Sequence, residues 1–174
     1  MTQHAVVMGV SGSGKSTIAV LVAERLGWVF ADADSFHPVA NIEKMRSGIP
    51  LTDADRRPWL LALADWMAEQ DRKGNSTVLA CSALRRSYRD LLSGRTEVDF
   101  IHLHGPLELI ESRMRARDHF MPPSLLASQF STLEKLQEDE RGIQLDLART
   151  PEQLVDEAVD WLGRGPLESC GPQG

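Results

Sequence analysis

The 174-residue chain alternates short, unbroken apolar runs with longer stretches of helical period. Residues 4–9 form the first run, continuous rather than alternating, as a strand buried on both faces requires. From Lys15 to Leu26 the apolar residues Ile18, Leu21, Val22 and Leu26 share one helical face, and Gly27 stops it. Trp28 to Ala31, Thr77 to Cys81, Val98 to Leu103 and Ile143 to Leu147 read as four further strands. A helix is expected near 39–47, and a second from Pro58, through Leu60, Leu63, Ala64 and Met67, to Gly74. Ser82 is a candidate N-cap for a helix carrying Leu84, Tyr88, Leu91 and Leu92 to Gly94. Pro106 opens another, with Leu107, Ile110 and Met114 on one face and Arg113 and Arg117 on a different one. Thr150-Pro151-Glu152-Gln153 spells a capping box with proline at the first helical position, ahead of Leu154, Val155, Ala158, Val159 and Leu162.

Strands that alternate with helices predict an α/β fold in three layers, a five-stranded parallel sheet between helices. Two excursions interrupt the alternation, at 36–75 and 117–140. They divide one domain into a core (4–35, 76–116 and 143–163), an acceptor-binding helical insert (36–75), a lid (117–140) and a tail (164–174) rich in glycine and proline that is expected to fray.

Between the first strand and the first helix stands Gly9-Val10-Ser11-Gly12-Ser13-Gly14-Lys15-Ser16-Thr17, the P-loop spelling G-x-x-x-x-G-K-[ST] in its strand–loop–helix setting. Its glycines let consecutive N–H groups curl around a phosphate, and the helix N-terminus adds partial positive charge. Lys15 can reach the β/γ-phosphates and Ser16 can ligate Mg²⁺, so these nine residues are the expected ATP·Mg²⁺ site. The alternative is a glycine-rich turn with an exposed lysine.

The net charge of −6 argues against a nucleic-acid surface but leaves room for a local basic pocket. Two cysteines, Cys81 and Cys170, make no disulfide framework, and Cys81 reads as a buried thiol. No signal peptide or membrane-length apolar run is visible, so a cytoplasmic protein with no membrane partner is expected.

Asp32 and Asp34 close the second strand, where ligands of open parallel sheets bind. If the strand persists, both carboxylates face one side, one to hold Mg²⁺ and one to take the proton of an attacking hydroxyl. Asp34-Ser35 would equally serve as a helix cap. The guanine signature N-K-x-D is missing, and the third strand ends in Cys81-Ser82 rather than the Asp-Glu of a motor ATPase. A small-molecule kinase is favoured over a switch or a motor.

The stretch Asp32-Ala33-Asp34-Ser35-Phe36-His37-Pro38, then Asn41, Lys44-Met45, Gly48 and Pro50 to Leu60, resembles the gluconokinase family. So do Cys81-Ser82-Ala83-Leu84 with Tyr88-Arg89-Asp90, and His119 to Pro122 with Ser124-Leu125-Leu126, Ser128, Gln129 and Phe130. The resemblance spans about residues 4–162; Lys135 to Glu140 departs from the family's proline-containing version, and the tail after Leu162 lies outside it. It implies a fold like that of the shikimate and nucleoside-monophosphate kinases, and transfer of the ATP γ-phosphoryl to the 6-hydroxyl of D-gluconate.

A small anionic polyol wants cationic donors for its carboxylate and polar side chains for its hydroxyls. His37, Lys44, Arg56, Ser82 and Arg85 supply these, with Asp34 as base or hydroxyl-orienting group, Asp32 and Ser16 at the metal, and His119 and Gln129 as lid contacts. Lys15 and Arg117 would neutralise the transferring phosphoryl, with Arg113 beside the nucleotide. Each has a plainer reading: Arg56 and Arg57 as surface ion pairs with Asp53 and Asp55, Lys44 as a solvated lysine, Ser82 as a cap, and Arg113 and Arg117 as a solvated helix face. His102 and His104 lie two apart on a strand without a third metal ligand, so a structural role is expected. The family is often dimeric, which admits a homodimer, but no stretch identifies an interface. A kinase for another small hydroxy acid, such as shikimate, or a non-catalytic nucleotide-gated binding protein, are the competing functions.

Overall fold

The computed structural model describes residues 2–116 and 123–163. Five strands, β1 (His4–Met8), β2 (Val29–Asp32), β3 (Thr77–Ala80), β4 (Asp99–His104) and β5 (Gly142–Asp146), form one sheet in the order β2-β3-β1-β4-β5. Every pairing is parallel, so the sheet is the one expected. Among the described residues seven α-helices join it: α1 (Lys15–Leu26), α2 (Val39–Arg46), α3 (Asp53–Arg72), α4 (Arg86–Leu92), α5 (Leu107–Ala116), α6 (Pro123–Thr132) and α7 (Pro151–Gly163). The expectations on Arg117, His119 and the tail lie outside the described residues.

The central strand explains the layers. Successive strand side chains point to opposite faces. Ala5 and Val7 join Ile18 and Val22 of α1 and Leu154 and Ala158 of α7 in one cluster. Val6 and Met8 join Trp59, Leu60, Leu63 and Met67 of α3 and Tyr88 and Leu92 of α4 in the other. Part of the 36–75 segment thus covers the sheet itself, through α3.

Two helix starts differ from the sequence reading. α3 begins at Asp53, not at Pro58, because Thr52 caps it: its hydroxyl accepts from the Asp55 N–H (3.1 Å), and the Asp55 carboxylate accepts from the Thr52 N–H (2.9 Å). Pro58 therefore lies one turn inside. Ser82 does not cap α4 either. The chain turns at Ala83, whose φ is +44°, and α4 starts only at Arg86. Its first N–H is capped from far away in sequence, by the Glu134 carboxylate (3.1 Å). The capping box at Thr150 and Gln153 forms as written, with bonds of 3.0 and 3.2 Å.

The Ala83 turn is held from beneath. Arg89 is 1 % exposed; its Nη1 donates to the Ala83 carbonyl (2.8 Å), and its Nε donates to Glu140 (2.6 Å), itself 4 % exposed. Removing one member of a buried pair strands the other charge. Arg89→Leu is expected to cost about 3 kcal/mol or more, and the double change Arg89→Leu/Glu140→Leu to recover much of it, as measured by urea denaturation.

Candidate active site

β1 and β3 are neighbours, so the loops that leave their C-terminal ends stand side by side. The Gly9 N–H donates to the Ser82 carbonyl (3.3 Å), tying the P-loop to the turn after β3. Gly12 has φ +82°, and a Cβ there would sit 2.5 Å from Met114 Cγ, so α5 can cross the loop only over a glycine. Gly14, at φ +87°, hands the chain to α1, and a Cβ on it would meet nothing within 4 Å.

The loop fits a bound polyphosphate. Lys15 Nζ is partly buried and donates to the Val10 carbonyl (3.2 Å). Burial pushes its pKa down, against the pull of Asp34, Cys81 and Asp32. A cation short of partners, beside a helix N-terminus, asks for an anion. Ser13 Oγ is buried with no partner among the described residues. Ser16 donates its hydroxyl proton to Asp32 Oδ2 (2.8 Å). That hydroxyl and carboxylate are the hard oxygen pair that a hydrated Mg²⁺ accepts. Among the described residues no group of three or more His, Cys, Asp or Glu could cage a metal by itself.

The strand does not persist through Asp34. It ends at Asp32, which caps a 3₁₀ turn over Ala33–Phe36 by accepting from the Asp34 N–H (3.0 Å). The cap is thus Asp32 rather than the alternative Asp34-Ser35, which leaves the Asp34 carboxylate exposed. Trp59 fixes this turn by donating its indole N–H to the Ala33 carbonyl (2.7 Å). His37 stacks on the same indole, with centroids 4.0 Å apart and planes 15° apart. The Asn41 side-chain amide lies 3.3 Å from His37 Nδ1, which assigns the proton to Nε2. Burial lowers the His37 pKa, with Asp34 opposing and Arg56 assisting, so the ring is a neutral donor.

Arg56 Nη1 donates to the Leu51 carbonyl (2.7 Å) and to the Tyr88 hydroxyl (3.2 Å). Arg85 lies at the N-cap of α4 rather than a turn inside, with its Nη1 3.7 Å from Asp53. The structure therefore gathers Asp34, His37, Arg56, Ser82 and Arg85 on the side of the P-loop that faces α3 and α4.

Three expected site residues are held by other parts of the chain. Lys44 is bound to Asp55 (2.8 Å), where it ties α2 to the start of α3. That ammonium, with the Thr52 N–H, holds the Asp55 carboxyl down at about 2. Gln129 of α6 grips the P-loop instead of the acceptor side: the Ser11 N–H donates to its Oε1 (2.7 Å), and its Nε2 donates to Ser11 Oγ (3.0 Å). Arg113 donates to the Leu147 carbonyl beyond β5. Sequence reasoning gave no site role to Trp59, Asn41 or Tyr88. Their signal was membership of the stretches that carry the family resemblance.

A P-loop with a partly buried lysine, facing a cluster of acceptor-type side chains, is the site of an ATP-dependent kinase. The shikimate kinase family model matches residues 11–158. A gluconokinase of Gluconobacter oxydans is 47% identical over 88% of this chain and 88% of its own. Two solved structures are similar: a sugar kinase of a Janibacter species (56% identity, TM-score 0.90, covering 95% of this chain and 97% of that one) and a gluconokinase of Sinorhizobium meliloti (43%, 0.82, 93% and 92%). The chain belongs to the gluconokinase family.

His102 and His104 do not join the site. Their rings are tilted, 5.2 Å apart, and His102 is 1% exposed. Burial, and then the charges of His104, Arg89 and Lys135, push His102 down to about 4 from 6.5. The unfolded chain therefore binds this proton more readily between those values, and folded stability falls as pH drops through that window. Comparing pH 7 with pH 4.5 by urea denaturation, His102→Leu is expected to remove about 2–3 kcal/mol of the acid loss.

Proposed function

We propose that this protein phosphorylates D-gluconate at its 6-hydroxyl, using ATP and Mg²⁺. The observation that carries the reading is the position of His37. Its neutral ring feels both Asp34, beside Lys15, and Arg56, at the start of α3. A line of groups thus runs from the phosphate cradle to a pair of arginines. A hydroxyl at one end and a carboxylate at the other is the chemistry of a linear sugar acid.

The acceptor's terminal hydroxyl lies against Asp34. As its oxygen bonds to the γ-phosphorus, the bond from that phosphorus to the bridging oxygen of ADP breaks, and Asp34 receives the hydroxyl proton. Lys15 and Arg117 offset the charge on the transferring group. Bound Mg²⁺, held by Ser16 and Asp32, would supply further neutralisation of the phosphates. His37 donates Nε2–H to a sugar hydroxyl, with Ser82 beside it. Arg56 and Arg85 receive the carboxylate. His119 and Arg113 complete the lid side, and Gln129 secures that side to the P-loop. Lys44 serves by bracing the insert. We propose a cytoplasmic location for the reaction.

ADP release, assayed with gluconate, shikimate, other sugar acids and nucleoside monophosphates, tests the reading: gluconate is expected to give the highest kcat/KM. No gluconate-dependent ADP would overturn it in favour of another acid or a binding protein. Asp34→Asn is expected to lower kcat by about 10²-fold or more with ATP affinity within about twofold. Full turnover in that variant would make Asp34 structural.

A further inference from the structure

The arginine pair has an internal mount that the catalytic reading does not use. Tyr88, the chain's one tyrosine, is 5% exposed on α4, yet its hydroxyl reaches the first residue of α3. It donates to Asp53 Oδ1 (2.6 Å) while accepting from Arg56 Nη1 (3.2 Å). The Arg56 guanidinium also lies over the Tyr88 ring, 5.4 Å from its centroid. Asp53 is the point on which the cations converge, with Arg56 Nη1 at 3.9 Å and Arg85 Nη1 at 3.7 Å.

Those two distances are too long for hydrogen bonds, and the Asp53 side chain is 65% exposed. Such contacts hold little energy as ion pairs in water. Their content is geometric. Arg56 donates from one nitrogen only, and Arg85 donates no hydrogen bond among the described residues. Two guanidiniums, most of whose N–H groups meet no protein acceptor among the described residues, converge on one carboxylate. With Asp53 between them the cluster still carries one net positive charge. A bidentate carboxylate is the ligand that fills such donors.

We propose that Tyr88 and Asp53 are positioning residues for the acceptor's carboxylate. Tyr88 clamps Arg56 from below, and Asp53 keeps Arg56 and Arg85 pointed at a common site while it is empty. The pair spans α3 and α4, so it also fixes the separation between Arg56 of α3 and Arg85 at the N-cap of α4. This rests on the reading of the acceptor as a sugar acid.

Steady-state kinetics of the full chain test it, with gluconate and ATP varied independently. Tyr88→Phe keeps the ring and removes the hydroxyl. It is expected to raise KM for gluconate about tenfold, with kcat within about twofold and KM for ATP unchanged. Asp53→Asn is expected to raise the same KM about threefold, and Asp53→Glu to recover part of it. In an Arg56→Ala background, Tyr88→Phe should add almost nothing, because it acts through Arg56. An unchanged gluconate KM in Tyr88→Phe overturns the proposal. So does a full additional loss in the Arg56→Ala background, or a parallel fall in kcat and ATP affinity, which would mark a merely structural tyrosine. Asp65→Asn, at the surface pair with Arg95, serves as a charge control and should leave every parameter unchanged. Wild-type chain that fails to use gluconate would instead overturn the functional reading on which this rests.

Discussion

The parallel pairing of β1 with β3 is the constraint on which the site depends. It runs in register from His4 with Thr77 to Val7 with Ala80, and ends where both strands release their loops. One loop is the phosphate cradle, and the other is the turn through Ser82 and Ala83. The Gly9 N–H to Ser82 carbonyl bond continues the pairing one step past the sheet, so the loops share backbone as well as proximity. Chain order makes this possible. β2 lies beyond β3 at the sheet edge, and β4 lies on the other side of β1, so the connections diverge and leave a crevice at the strand ends. The alternation along β1 then fixes two packed faces at once, and a shift by one residue would exchange them.

The acceptor side is rigid for a different reason. Its elements are short: a four-residue 3₁₀ turn, an eight-residue helix and the bend at Ala83. None could hold its shape by regular hydrogen bonding alone. Contacts from residues distant along the chain or packed beneath them do that work instead. Trp59 holds the Ala33 carbonyl, Arg89 holds the Ala83 carbonyl, and Glu134 both caps α4 with its carboxylate and donates its own N–H to the Leu84 carbonyl (2.7 Å). A non-glycine residue at φ +44° is sparsely populated unless its surroundings over-determine it. Here the bend has a buried guanidinium beneath it and the segment after α6 beside it.

What could be read from the sequence follows the same division. Continuous apolar runs and a capping box are local signals, so the five strands, α1 and the start of α7 were legible within a residue or two. The P-loop was legible because its chemistry demands particular residues in order. The start of α3 was misread because Pro58 is a conspicuous signal, whereas Thr52 and Asp55 form a less familiar Asp version of the capping box. Ser82 was misread as a cap because nothing local announces that Glu134, 52 residues on, supplies the cap. Gln129 and Lys44 show the limit most clearly. An amide or an ammonium in a polar stretch offers no sign of whether it meets a ligand, the P-loop or a neighbouring carboxylate. Only the tertiary partner decides.

The electrostatic layout explains how an acidic chain can serve an acidic acceptor beside a polyphosphate. Its charge of −6 is spread over surface carboxylates, whereas the crevice draws on Lys15 at one end and Arg56 and Arg85 at the other. Between them stand Asp34, exposed, and His37, kept neutral by burial. A charged imidazolium there would pull the acceptor's carboxylate toward the middle of the site and let it lie backward. A neutral ring that donates one N–H carries no such preference, so orientation falls to the two ends. The cation at the phosphate end is already committed to phosphate, and Asp34 repels a carboxylate that approaches it. In the proposed binding mode, reversed binding is opposed at the Asp34 end and correct binding favoured at the arginine end. The direction proposed for the acceptor follows from the order Lys15, Asp34, His37, Arg56 along the crevice.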